Sequence, residues 1–248
     1  MQTDHYRLWA RCRDFVRATC VGRDASHGLA HMEKVTENSV LIFSMQCVDG
    51  CCNENMEEKS VNLARIILVA MLHDVSDHKY DADGRLALRV EEFIRQEATQ
   101  VPVAAAALGT AEHCQHALRT MEAISFSTEK RRGRRWFAAE LPHSWLGVRD
   151  VVSDADKLEA IGHVGLRRCL QHTLHTLQLT EEEMLQSKEK LQLCLRRVRD
   201  HFDEKLSLLC TEFIVTEAGK FLAGPRHTEM VETLHVWETE GVPRLPIC

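Results

Sequence analysis

The chain has little of what builds unfolded, fibrous or strand-rich proteins. It holds only 5 prolines and 12 glycines in 248 residues, which excludes a collagen-like or Pro/Gly-rich disordered chain. Two tyrosines and 6% aromatics are thin for a β-sandwich or barrel, because strands favour aromatic side chains. No long hydrophobic run exists. The longest, Ile66 to Leu72, falls far short of the roughly 20 apolar residues of a membrane helix. Residues 1–13 are interrupted by charge and lack the apolar centre of a signal peptide. Positive charge is not in excess either. Thirty-one basic against 37 acidic residues give a net charge of −6, so the overall field does not recruit a polyanion. These absences lead to the expectation of a soluble, cytoplasmic protein with no membrane partner and no dedicated nucleic-acid role.

Cysteine is abundant, with 10 in the chain, but it lacks a pattern. There is no Cys-x-x-Cys pair, and Cys114, Cys169, Cys194 and Cys210 fall in helix-like stretches. Free, mostly buried thiols in a reducing compartment follow. Cys47, Cys51 and Cys52 cluster in a polar stretch, where a reactive or weakly metal-binding role stays open.

What is present suits helices: Leu, Ala, Val and Ile interleaved with Glu, Lys and Arg. The spacing of apolar residues predicts helices over about 5–21, 26–45, 60–72, 85–97, 102–124, 153–177, 181–209 and 211–240, the last broken near Gly224-Pro225. Residues 46–59 and 127–149 read as irregular. The helix over 60–72 is apolar nearly all round, which places it in the middle of a domain. The expectation is all-α, a single domain over 1–248 with about eight or more helices.

Three places carry candidate chemistry. His27 and His31 are four apart and share a helix face, either as ligands or as surface and cap histidines. His73-Asp74 ends the most apolar helix, and burying a carboxylate there demands a metal or a cation. The alternative is that the helix stops at Leu72 and a solvated turn follows. Asp154 and Asp156 open the third stretch, where capping accounts for one aspartate but not equally for both. Continuing the Leu158, Ile161, Gly165 stripe backwards selects Asp154. Read together, the order is His, His-Asp, Asp on three helices. Two imidazoles and two carboxylates can hold a metal and keep positions open for water and substrate.

In these residues the chain resembles the HD-domain metal-dependent phosphohydrolases, and most nearly the small bacterial-type, nucleotide hydrolase-like HD branch. The matching segments are His27 to His31, His73 to Tyr80, Ser125 to Ser127, Asp154 to Gly165, His201 to Leu206 and Thr216 to Arg226. They span about residues 25–240, with a motif core over 25–180 and added helices over 181–240. The resemblance implies a phosphodiesterase-like helical bundle. It implies one divalent ion (Mn²⁺, Mg²⁺, Fe²⁺ or Co²⁺) on His31, His73, Asp74 and Asp156, choosing Asp156 where the helical phase chose Asp154. It implies Asp77 as the acid that handles a proton, Lys79 and Lys157 as cations for phosphate oxygens, and a nucleotide or related phosphate ester as substrate, hydrolysed by metal-activated water. The chain departs from the pattern in an expanded 44–59 segment, a longer 127–150 segment, Gly28 where Asp is common, and Lys157 in place of Arg. Two other classes remain: a catalytically silent nucleotide-binding module, and an RNA-binding protein using residues 130–135 with Trp136. The same cationic stretch could instead steer phosphates into a pocket or form a solvated loop.

Overall fold

A computed structural model describes residues 3–23, 27–48 and 55–243. Among them there are twelve α-helices, one 3₁₀ turn and two π-helical turns, and no strand. No helix is long and apolar enough to cross a membrane. The chain divides into two compact units, Met1–Asp156 and Lys157–Cys248.

The first unit holds α1 (Thr3–Thr19), α2 (Leu29–Val48), α3 (Met56–Leu72), α4 (Arg85–Gln100), α5 (Pro102–Leu108), α6 (Ala111–Glu122), α7 (Phe126–Arg132) and most of α8 (His143–Ala160). Its centre is α3, which packs against α1, α2, α5 and α6. Every residue from Ala64 to Leu72 is buried, as a helix apolar on all sides requires. Each large side chain there contributes about 1.5–3 kcal/mol of hydrophobic stabilisation. The one charge in that run, Arg65, is buried too: its Nε donates to the Ala107 carbonyl at 3.3 Å and its Nη1 to Asn62 Oδ1 at 3.2 Å, and it stacks 4.6 Å from the Trp145 ring centroid.

Several expected boundaries move. The 46–59 stretch is not one loop, because α2 continues to Val48 and α3 starts at Met56. Asn55 makes the early start possible. Its side chain accepts from the backbone of Glu57 and Glu58, and the Glu58 carboxylate returns to the Asn55 N–H, a capping box. The single helix expected over 102–124 is two helices, closed at Gly109 and reopened by Thr110, whose hydroxyl accepts from His113 N–H. The 127–149 stretch is ordered as α7, a 3₁₀ turn over Trp136–Ala139 and the start of α8.

The second unit contains the last turn of α8, then α9 (Gly162–Leu177), α10 (Glu181–Gln186), α11 (Lys188–His201) and α12 (Glu217–Thr239). The helix expected over 153–177 breaks at Ile161–Gly162, where Gly162 has φ +83°, a left-handed conformation that a side chain resists. Arg226 and Glu229 of α12 hold the break. Arg226 donates to the Leu158 carbonyl at 2.5 Å and Glu229 accepts from His163 N–H at 3.2 Å. The helix expected over 181–209 restarts at Ser187 and then runs through π turns at Phe202–Leu206 and Leu209–Phe213. By contrast α12 does not break near Gly224-Pro225, and Pro225 lies inside it. Proline removes one N–H, and here it sits on an exposed face where water can take the freed carbonyl.

Candidate metal centre

All four expected ligands belong to the first unit, and local sequence explains how each is carried. His31 lies in the first turns of α2 and Asp156 inside α8. His73 is the C-cap of α3, and Asp74 follows it in a turn closed by Val75 N–H to the Leu72 carbonyl at 3.0 Å. The structure brings them together. His31 Nε2 lies 3.7 Å from Asp74 Oδ2 and 3.4 Å from Asp156 Oδ1. His73 Nε2 lies 3.6 Å from Asp74 Oδ1 and 3.7 Å from Asp156 Oδ1. One donor atom each from His31, His73 and Asp74 falls within 4.8 Å of the others, near enough to serve one ion.

The histidine geometry fits a cation. His73 Nδ1 is 2.8 Å from the Ala70 carbonyl. That contact makes Nδ1 the protonated nitrogen of the neutral ring and leaves a lone pair on Nε2. His73 Nε2 is buried and has no hydrogen-bond partner among the described residues. It faces two carboxylates at distances too long for hydrogen bonds. The electrostatics agree. Burial pulls His73 toward the neutral form, but Asp74 and then Asp156 outweigh it and raise its pKa to about 9. Burial likewise opposes ionisation of Asp156, and the His31 and His73 imidazoles overcome it and hold the carboxyl well below its ordinary range. The pocket therefore favours positive charge, and a proton answers that demand when no metal does. Nitrogen and carboxylate donors suit Mn²⁺, Fe²⁺, Co²⁺ or Mg²⁺.

The other expected residues fall out as follows. Asp77 lies one turn beyond Asp74; its N–H donates to the Asp74 carbonyl at 3.2 Å. Its Oδ1 accepts from Lys79 N–H at 2.9 Å and lies 3.4 Å from His78 Nδ1. Lys79 is exposed, with Nζ 3.4 Å from His27 Nε2. His27 thus lies against this turn, its ring centroid 5.7 Å from that of Tyr80. Asp154 is fully buried. Lys157, next after Asp156 on α8, is 2% exposed.

Arg23 was not singled out by sequence. Its Nη1 donates to the Asp74 carbonyl at 2.7 Å and its Nη2 to the Val75 carbonyl at 2.5 Å. Its guanidinium lies 4.3 Å from the centroid of Tyr80. No local signal marks it, since the partners lie about fifty residues along the chain.

The cationic stretch 130–135 is not a free loop. Arg132 pairs with Glu122 at 3.1 Å and Glu140 at 3.2 Å and lies 3.5 Å from the centroid of Trp136. Arg134 pairs with Glu129 and Arg135 with Asp150, each at 3.2 Å. Beneath them Arg149 and Glu129, both 1% exposed, pair at 2.6 Å. Three of the arginines are committed to structure. Among the described cysteines all are free thiols, and Cys12, Cys20, Cys114, Cys169 and Cys194 are buried. Burial pushes the Cys12 thiol above its ordinary pKa and Cys169 up to about 11, so neither is reactive. Of the cluster at 47, 51 and 52, Cys47 is half-buried, while Cys51 and Cys52 lie outside the described residues.

Neither a family model nor a curated protein matches the chain. Solved structures do. YpgQ of Bacillus subtilis, crystallised in complex with ADP, superposes with a TM-score of 0.59 at 19% identity over 97% of this chain and 98% of its own. A Lactobacillus plantarum protein gives 0.62 at 22% identity over 97% and 98%. The Lin1889 protein of Listeria innocua gives 0.56 at 18% identity over 97% of both chains. At these identities the likeness is one of fold.

Proposed function

We propose that this chain is a divalent-metal-dependent phosphohydrolase of the HD-domain type, acting on a nucleotide or a related small phosphate ester. The observation that carries the reading is the convergence of His31, His73, Asp74 and Asp156 from α2, the end of α3 and α8. The ADP bound to YpgQ, a protein of the same fold, supports a nucleotide as the substrate class.

In this reading those four side chains hold the ion. A bound divalent ion supplies Lewis acidity toward phosphate oxygens and lowers the pKa of water. Asp77 is the proton acceptor or donor. Its Oδ1 is committed to the turn, so Oδ2 carries that role. Lys79, exposed beside His27, neutralises phosphate oxygens, and Lys157 adds a buried positive charge next in sequence to Asp156.

The test is a screen of nucleoside mono-, di- and triphosphates and cyclic diesters with Mn²⁺, Mg²⁺ or Co²⁺, detecting phosphate and pyrophosphate separately. Metal-dependent turnover is expected in wild type. In Asp74→Ala it should be lost by at least about 100-fold with helical circular dichroism intact, as is usual for loss of an essential group. Turnover within a few-fold of wild type in that variant sinks the reading. Metal and nucleotide binding without turnover would favour the silent module.

A further inference from the structure

We propose that Arg23 is a positioning residue of the metal centre, acting on Asp74 through the backbone; the proposal rests on the metal reading of the His/Asp cluster. His31 and Asp156 sit within helices, and their main chains are fixed by helical hydrogen bonds. Asp74 does not. It lies past the C-cap of α3, in a turn held by Val75 N–H to the Leu72 carbonyl at 3.0 Å and by Asp77 N–H to the Asp74 carbonyl at 3.2 Å. Rotation about the Asp74 backbone would swing its carboxylate away from His31 Nε2 and His73 Nε2. Arg23 opposes that rotation. Its two terminal nitrogens hold two successive carbonyls, those of Asp74 and Val75, at 2.7 and 2.5 Å. The ring of Tyr80, from the next turn of the same loop, covers the guanidinium at 4.3 Å. The fork is therefore wedged between the two turns that follow the histidine–aspartate doublet. It makes no ion pair with the Asp74 carboxylate; its donors go to main-chain oxygens. A planar guanidinium can grip two carbonyls at once and stack on a ring, and an ammonium cannot.

That distinction makes the idea testable with the charge held constant. The measurement is Mn²⁺ affinity of the full chain by calorimetry or electron paramagnetic resonance, with melting of the metal-free protein recorded beside it. The variants are Arg23→Lys, Arg23→Gln and a control, Arg89→Gln. Arg89 donates to Thr19 Oγ1 at 3.3 Å and lies over Phe15, contacts made to α1 and not to the cluster. Arg23→Lys and Arg23→Gln should each weaken Mn²⁺ binding by about 10–100-fold, the usual cost of losing a group that orients a ligand. Metal-free Arg23→Lys should melt near wild type, and Arg89→Gln should bind Mn²⁺ as wild type does. Wild-type affinity in Arg23→Lys overturns the proposal. So does loss confined to Arg23→Gln, which would assign the effect to charge and not to the fork. If Arg23→Gln does not fold, Arg23→Lys decides alone. A wild-type protein that binds no divalent ion, and matches Asp74→Ala in that assay, removes the metal reading and this proposal with it.

Discussion

Asp154 and Asp156 lie two positions apart on α8, about 200° around the helix. The buried stripe of Leu158, Ile161 and Gly165, continued backwards, points to Asp154, and the structure buries Asp154 completely. Periodicity thus reads burial correctly, but burial is not what a ligand needs. A ligand must face the imidazoles from the pocket's edge, and Asp156, with a side chain 30% exposed, does so. Only the motif pattern carried that information. Asp156→Asn should therefore lose most bound Mn²⁺ by elemental analysis, while Asp154→Asn keeps it and instead lowers the melting temperature. The reverse result would return the ligand role to Asp154.

The same side chains set a pH dependence of definite sign. In the metal-free protein the His73 pKa is raised to about 9, against about 6.5 in an unfolded chain. Stability from that shift is fully present below the unfolded value and disappears as pH rises through about 9. Metal-free protein should therefore melt at lower temperature at pH 9 than at pH 6.5. Metal binding must displace the His73 proton, so apparent Mn²⁺ affinity should rise with pH over the same window and level off above it. Titrating both quantities in His73→Gln, where both trends should vanish, checks the assignment.

At the scale of elements, amphipathic spacing located the long helices, and local capping decided where they stop. The Asn55–Glu58 box was legible as Asn-x-x-Glu, and Thr110 and Ser187 are ordinary N-cap residues. Each sits inside a stretch whose apolar pattern reads as continuous or irregular. The segment 126–139 was opaque for another reason. Its order comes from partners elsewhere: Arg119, Glu122 and Glu140 around Arg132 and Trp136, and Arg149 beneath Glu129. No window along the chain contains that information. The Glu129–Arg149 pair is the sharpest element-scale test. Arg149 also donates to the Ala123 carbonyl at 3.0 Å, so one guanidinium ties the end of α6, α7 and α8 together. Glu129→Gln removes one of the two carboxylates on the buried Arg149 and leaves Asp150 at 3.1 Å. The expected loss is about 1–3 kcal/mol in urea unfolding, against less than about 1 kcal/mol for Glu140→Gln, whose partners are solvent-accessible. Equal costs would show that the buried pair does not organise this segment.

Across the molecule, the candidate metal centre draws on residues from His31 to Asp156, a span that covers most of the first unit. An ion held by α2, the end of α3 and α8 would cross-link segments far apart in sequence, and in the unfolded chain those donors are dispersed. Binding to the folded state alone stabilises it by mass action, about 2.7 kcal/mol when free metal is 100 times the dissociation constant. Mn²⁺ at that ratio should raise the melting temperature of wild type by several degrees, and a chelator should reverse the rise. Asp74→Ala should show no shift, and Asp77→Asn, outside the ligand set, should show the full one. A Mn²⁺-induced rise of equal size in Asp74→Ala would mean that the ion binds elsewhere, and the histidine–aspartate cluster would lose its claim to be the metal centre.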